Sequence, residues 1–105
     1  MASVKVRHFM STVAATGTRE RMTNSNLKVA SIMIKAETSN TGIVYVGDDQ
    51  VSSSTYGIDL SAGDTVELTS DDLGWADAKI LLREVWLDVS VSGDGVSVTY
   101  FERVS

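Results

Sequence analysis

The feature that most constrains this chain is a series of short apolar alternations, each cut off within a few residues by a turn signal. It is clearest in "SNTGIVYVGDDQVSSSTYGIDLSAGDTVEL", residues 39 to 68. Val44, Tyr45 and Val46 are β-branched or aromatic, the types that pack on a pleated surface. Further on, Val66 and Leu68 alternate with Thr65 and Glu67, the period-two pattern of an antiparallel strand with one face in water. Asn40, Gly42, Gly47, Gly57 and Gly63 punctuate the stretch, and Gly93 and Gly95 do the same in "SGDG" at 92 to 95. These positions are the expected structural turns, since Gly and Asn accept backbone angles that other residues avoid. Runs this short predict strands rather than helices.

The same pattern extends along the chain. Val4, Val6 and His8 alternate with Lys5, Arg7 and Phe9, predicting a short first strand. Residues 10 to 26 are rich in Ser, Thr and Asn and keep no period, which predicts a loop, an arm or one irregular strand around Arg19 to Met22. Between Leu27 and Ala36 both alternate faces are largely apolar, as in a central strand covered on two sides or one that meets another subunit. A hairpin is expected between 27–36 and 43–46, and a second between 84–91 and 96–103. Val51 reads as an inward anchor in a polar loop, "YGIDL" as a short edge strand, and "SAGD" as a tight turn. Residues 70 to 79 could open a short helix capped by Ser70. The sum is an all-β chain, an antiparallel β-sandwich of jelly-roll-like design with about seven or eight strands. Its 105 residues suit one modest core: a strand and arm over 1–26, in the same domain or serving assembly, and a sandwich over 27–105.

Composition removes several classes of function. The chain has no Cys, which excludes disulfides, thiolate catalysis and zinc–thiolate sites. Its apolar runs are too short to span a membrane as helices, and residues 1 to 20 lack the apolar block of a secretory signal, so synthesis in the cytoplasm is expected. The net charge of −5 argues against general nucleic-acid binding, which needs a basic footprint. That charge is unevenly spread. Residues 1 to 36 carry Lys5, Arg7, Arg19, Arg21, Lys28 and Lys35 against Glu20 alone, while residues 37 to 105 carry three cations against thirteen carboxylates. A basic N-terminal part could seek an acidic surface on a neighbour, or the charges could intermix once the strands fold together.

Candidate chemistry is sparse. His8 is the only histidine, so any triad or His-based metal site would rest on it alone, and a structural or surface role fits it better. Asp48–Asp49 and Asp71–Asp72 are paired carboxylates without the alternating ligands of an EF-hand; solvated turns are the simpler reading, with a weak calcium site as the alternative. Ser52 to Ser54 lack the glycine elbow of a hydrolase and read as hydrogen-bonded turn residues. The glycines never form a phosphate-binding loop, and no cofactor is expected. Trp75, Trp86, Tyr45, Tyr56 and Tyr100 could stack on a sugar, although in a small sandwich they more often fill a core or a subunit interface.

The quoted stretch also resembles a pattern in small β-sandwich virion proteins of tailed bacteriophages, of the capsid cement or decoration type. The matching positions are Asn40 to Gly42, Val44 to Gly47, Val51 to Ser53, Gly57 to Leu60 and Ala62 to Leu68, followed by "GVSVTY" at 95 to 100. The first 26 residues and "WADAKILLREVW" lie outside it. The resemblance implies a non-enzymatic protein of the capsid surface, a homotrimer that binds neighbouring copies of the major capsid protein. Lys5, Arg7, Arg19, Arg21, Met33, Tyr45, Trp75 and Trp86 are then the candidate assembly residues. The competing readings are a tail or fibre module binding host-surface carbohydrate and, last, a small hydrolase built on His8 or an aspartate pair.

Overall fold

The computed structural model describes residues 3–69 and 79–104, the side chains of Ser3, Val4 and 102–104 excepted. Its chain is an antiparallel all-β sandwich. In order come β1 (Ser3–Thr12), β2 (Glu20–Arg21), β3 (Lys28–Val29), β4 (Ser31–Ala36), β5 (Val44–Gly47), β6 (Ile58–Leu60), β7 (Thr65–Thr69), β8 (Ile80–Leu81), β9 (Trp86–Val89) and β10 (Gly95–Val104). A 3-10 turn, Leu82–Glu84, separates β8 from β9. Among the described residues ten strands stand where seven or eight were expected, because β2, β3 and β8 are two-residue pairings. The expected helix over 70–79 falls almost wholly outside the described residues.

One four-stranded sheet has the order β1-β10-β4-β7 and the other β2-β9-β5-β6, with β3 and β8 forming a small ladder beside them. The first is called the long sheet here and the second the short sheet. Alternation decides which side chains enter the space between them. From the long sheet Ile32, Ile34, Ala36, Val96 and Val98 point inward; from the short sheet Val44, Val46, Leu60, Leu87 and Val89 meet them. Val13 and Met22, from the segment between β1 and β3, are buried in the same core, and β1 is bonded to β10 over all ten of its residues. Residues 3–26 are therefore part of the sandwich itself.

Neither expected hairpin forms. β4 bonds to β10 and β7, whereas β5 bonds to β9 and β6, so the "TSNTG" segment arches from one sheet to the other. "SGDG" likewise carries the chain from β9 in the short sheet to β10 in the long one. Period two and a turn signal specify two strands and a reversal, but a reversal can join neighbours in one sheet or facing strands in two. Here the second is found, and it brings Ile34 and Val44 into one core from opposite sheets.

The turn residues divide accordingly. Gly63 and Gly93 have φ of +85° and +92°, where a side chain is strained, and serve as turns as expected. Gly47 closes β5 and Gly95 opens β10, so both are strand residues rather than turns. Gly95 is required by closeness: a Cβ there would fall on the carbonyl oxygen of Ser11 in the neighbouring strand. Gly42 is similar, since its Cβ would meet the Ser90 hydroxyl. Asn40 matters through its side chain: its Nδ2 donates to the Gly95 carbonyl at 2.8 Å and its Oδ1 accepts from the Gly95 amide at 3.0 Å.

Candidate functional site

The two sheets turn very different outer faces to solvent. On the long sheet the outward positions follow from the register. Met10, Ser97, Lys35 and Thr65 form one row across the strands, and His8, Thr99, Met33 and Glu67 the next. Val6 opposes Phe101 in the row beyond. Val6, Met10, Met33 and Phe101 remain 61, 58, 44 and 55% exposed, and they are four of the six large apolar side chains exposed among the described residues. Between Met33 and Phe101, bordered by Ser31, Glu67 and Thr99, lies a small dent with Ile32 among its walls. Where side chains are described, the charged outward residues of this face are Lys35 and Glu67, and Arg103 holds a register position on the same face, opposite Val4.

β1 is one edge of this sheet. Among the described residues it pairs with β10 alone. Its first four residues run with 101–104 past the end of the β4 pairing, which stops at Tyr100 opposite Ile32, so the two strands project as a ribbon. An exposed ten-residue edge offers a row of backbone donors and acceptors to any strand that approaches it. Lys5 and Arg7 lie on β1 with their side chains alternating away from Val6 and Met10.

The short sheet has a polar outer face, and a loop covers part of it. Asp88 sits at an outward position of β9 yet is only 2% exposed, because the segment 13–19 folds over it. Its Oδ1 accepts from the Gly17 amide at 3.1 Å and from the Val89 amide at 2.8 Å. Thr16 reinforces this cover, its hydroxyl donating to the Val89 carbonyl at 2.6 Å and its amide to the Ser92 hydroxyl at 2.9 Å. Nearby, the Arg21 guanidinium lies 5.1 Å from the centre of the Trp86 ring. Tyr45 packs against Tyr56 with ring centres 5.0 Å apart. Gly17, Thr18, Arg19, Arg21, Asp49, Gln50 and Trp86 line a wide open groove on this side.

At one end of the sandwich three segments are laced together. Asp94 accepts from the Gly42 amide at 2.8 Å and the Thr41 amide at 3.3 Å, while its carbonyl accepts from the Val13 amide at 3.1 Å. Asn40 ties the same region to Gly95. Asn40, Asp88 and Asp94 are the buried polar side chains among the described residues, and each is used as a brace for backbone amides or carbonyls.

The candidate assembly residues are thus dispersed. Lys5, Arg7 and Met33 belong to the long sheet, Arg21, Tyr45 and Trp86 to the short one, Arg19 to the loop between β1 and β2, and Trp75 lies outside the described residues. Folding puts Lys5, Arg7 and Lys35 in the long sheet, Arg21 in the short one, Lys28 on β3 and Arg19 in a loop, so the basic N-terminal residues do not share one sheet. His8 is exposed on β1, opposite Thr99. Asp48 accepts from the Gln50 amide at 2.9 Å, and the Ser52 hydroxyl from the Ser54 and Thr55 amides, so both act locally as turn formers. Asp71 and Asp72 lie outside the described residues. Sequence reasoning overlooked Val6, Met10 and Phe101 as surface residues, although Val6 and Met10 share one side of an alternation whose other side carries Lys5 and Arg7.

Comparison of the chain with protein-family models, with curated proteins and with solved structures returns no match.

Proposed function

We propose that this chain is a non-enzymatic virion structural protein, a capsid cement or decoration protein that forms a homotrimer and binds neighbouring major capsid subunits on the outside of a phage head. The observation that carries the reading is the apolar outer face of the long sheet, flanked by a strand that among the described residues pairs on one side, with β10, on a well-braced frame. A patch of this kind marks a macromolecular interface more often than a small-molecule site. The nested strand order, first with last and second with ninth, supports the jelly-roll form of the sandwich. The resemblance over residues 40–68 and 95–100 supports the virion assignment. A lattice of such contacts gains strength by repetition, since each added contact on an engaged oligomer is intramolecular.

The test is to mix the purified chain with capsids that lack it, then sediment and heat them. Binding in a fixed copy ratio with a rise in the temperature at which shells open supports the proposal; a chain left in the supernatant at every ratio refutes it. A second reading, a tail or fibre module for surface carbohydrate, is favoured by the open groove beside Trp86, where an aromatic ring meets Asp49, Gln50 and two arginines. Glycan binding that disappears in Trp86→Ala would select it.

A further inference from the structure

We infer that the Asp94–Gly95 peptide is a latent site of covalent self-modification, aspartate isomerisation through a cyclic imide, held shut in the folded chain by a clasp centred on Asn40. Asp94–Gly95 is the sole Asp-Gly pair in the sequence, and there is no Asn-Gly pair. Glycine after aspartate is the pairing in which ring closure is least hindered, because no Cβ shields the attacking nitrogen and the backbone turns freely.

The reaction needs no other reactant than water. The Gly95 backbone nitrogen attacks Cγ of the neutral Asp94 carboxyl, an N–Cγ bond forms, and the amide proton leaves with the carboxyl hydroxyl as one water. Water then adds to either ring carbonyl. Breaking the N–Cγ bond restores aspartate. Breaking the bond between the nitrogen and the Asp94 main-chain carbonyl carbon leaves isoaspartate, with the main chain routed through Cβ and Cγ. One water is lost and one regained, so nothing is oxidised or reduced and the product has the mass of the starting chain.

The fold imposes this pair and then immobilises it. A side chain at residue 95 would strike the Ser11 carbonyl oxygen and lie 3.0 Å from the Thr12 Cα, so glycine is needed there. Asp94 supplies the acceptor for the Gly42 amide at 2.8 Å and the Thr41 amide at 3.3 Å, where the chain arches between the sheets. Each polar group that would have to move is engaged. The attacking Gly95 amide donates to Asn40 Oδ1 at 3.0 Å. The Gly95 carbonyl accepts from Asn40 Nδ2 at 2.8 Å and from the Glu37 amide at 3.1 Å, and the Asp94 carbonyl accepts from the Val13 amide at 3.1 Å. Both residues are buried, which keeps away the water that opens the ring. Isoaspartate lengthens the main chain by one atom and moves Gly95 out of register with Ser11 and Asn40, so a converted chain cannot close the clasp again.

To test this, the wild-type chain is aged in one buffer, folded and in guanidinium chloride. Residue 94 is then read in the tryptic peptide 84–103 by electron-transfer fragmentation, which separates isoaspartate from aspartate at equal mass. Asp88–Val89 in the same peptide is the internal control, since a β-branched neighbour hinders ring closure. Conversion at Asp94 should be about a hundredfold slower in the folded chain than in the unfolded one, because a well-held buried segment opens rarely. Asn40→Ala, aged while folded, should convert about tenfold faster than the wild type, with Asp88 unchanged. Equal rates in folded and unfolded wild type, or a folded Asn40→Ala as slow as the wild type, would overturn the inference. If that variant does not fold, the wild type decides alone, through guanidinium concentrations below the unfolding transition. Conversion and amide exchange at Gly95 should rise together there; conversion that stays flat while exchange rises would overturn the role of the clasp.

Discussion

The two outer faces of this sandwich are built from the same alternation and end in opposite conditions. On the short sheet the outward carboxylate of Asp88 is buried beneath residues 13–19 and holds two amides, and Trp86 is overlaid by Arg21. The long sheet leaves Val6, Met10, Met33 and Phe101 bare. A chain of this size can cover both faces only if it has segments to spare. The 13–19 loop goes to the short sheet, where β2 and β6 are too brief to form a surface of their own. The long sheet needs no such support for its internal bonding, because β1 and β10 pair over ten residues. Its uncovered face is therefore a feature the fold can tolerate, and one that a partner can complete.

The largest stability effect is expected where both faces depend on one brace. Replacing Asn40 by Ala strips the Gly95 amide and carbonyl of their side-chain partners in a buried position, at a cost of about 3 kcal/mol. Denaturant unfolding should show a single transition at a markedly lower midpoint. A loss below about 1 kcal/mol would mean that the two arches are held by packing instead.

Asp88→Ala separates the faces. It removes the anchor of the 13–19 cover and should cost about 1–2 kcal/mol, less than Asn40→Ala because Thr16 still ties the loop to Val89 and Ser92. Amide exchange should accelerate at Gly17, while amides in the β1–β10 ladder follow only the global change. Equal acceleration in both places would show that the two faces are not independent. Arg21→Ala is milder still, about 0.5–1 kcal/mol from the lost ring contact, and should raise the exposure of the Trp86 ring seen in its fluorescence.

This contrast was only partly legible in the sequence. Strand positions were readable wherever one side of an alternation was clearly polar: Val66 and Leu68 against Thr65 and Glu67, or Val96 and Val98 near the C-terminus. Gly63 and Gly93 were also readable as turns. Strand partners were not, because "TSNTG" and "SGDG" are equally good signals for a hairpin and for an arch between sheets. Asp88 looked like an ordinary solvent-facing residue, since only a loop 71 residues away in sequence from it buries its carboxylate. The candidate surface was hidden for a related reason. Val6, Met10, Met33 and Phe101 come from three strands far apart in the chain, and only the β1-β10-β4 register makes them neighbours.

The smallest stability effect is the most informative about function. Phe101→Thr puts a β-branched strand former in place of an aromatic one and removes a side chain that is already more than half exposed, so the isolated chain should change by no more than about 0.5 kcal/mol. The measurement must be made at a concentration where the chain is monomeric, because association would add its own free energy to the apparent stability. At higher concentration the same variant should fail to reach the oligomeric mass of the wild type. A face that contributes little to folding but decides association acts as an interface. If Phe101→Thr instead destabilised the monomer by several kcal/mol, the ring would belong to the fold, and the comparison between a covered and an uncovered face would collapse.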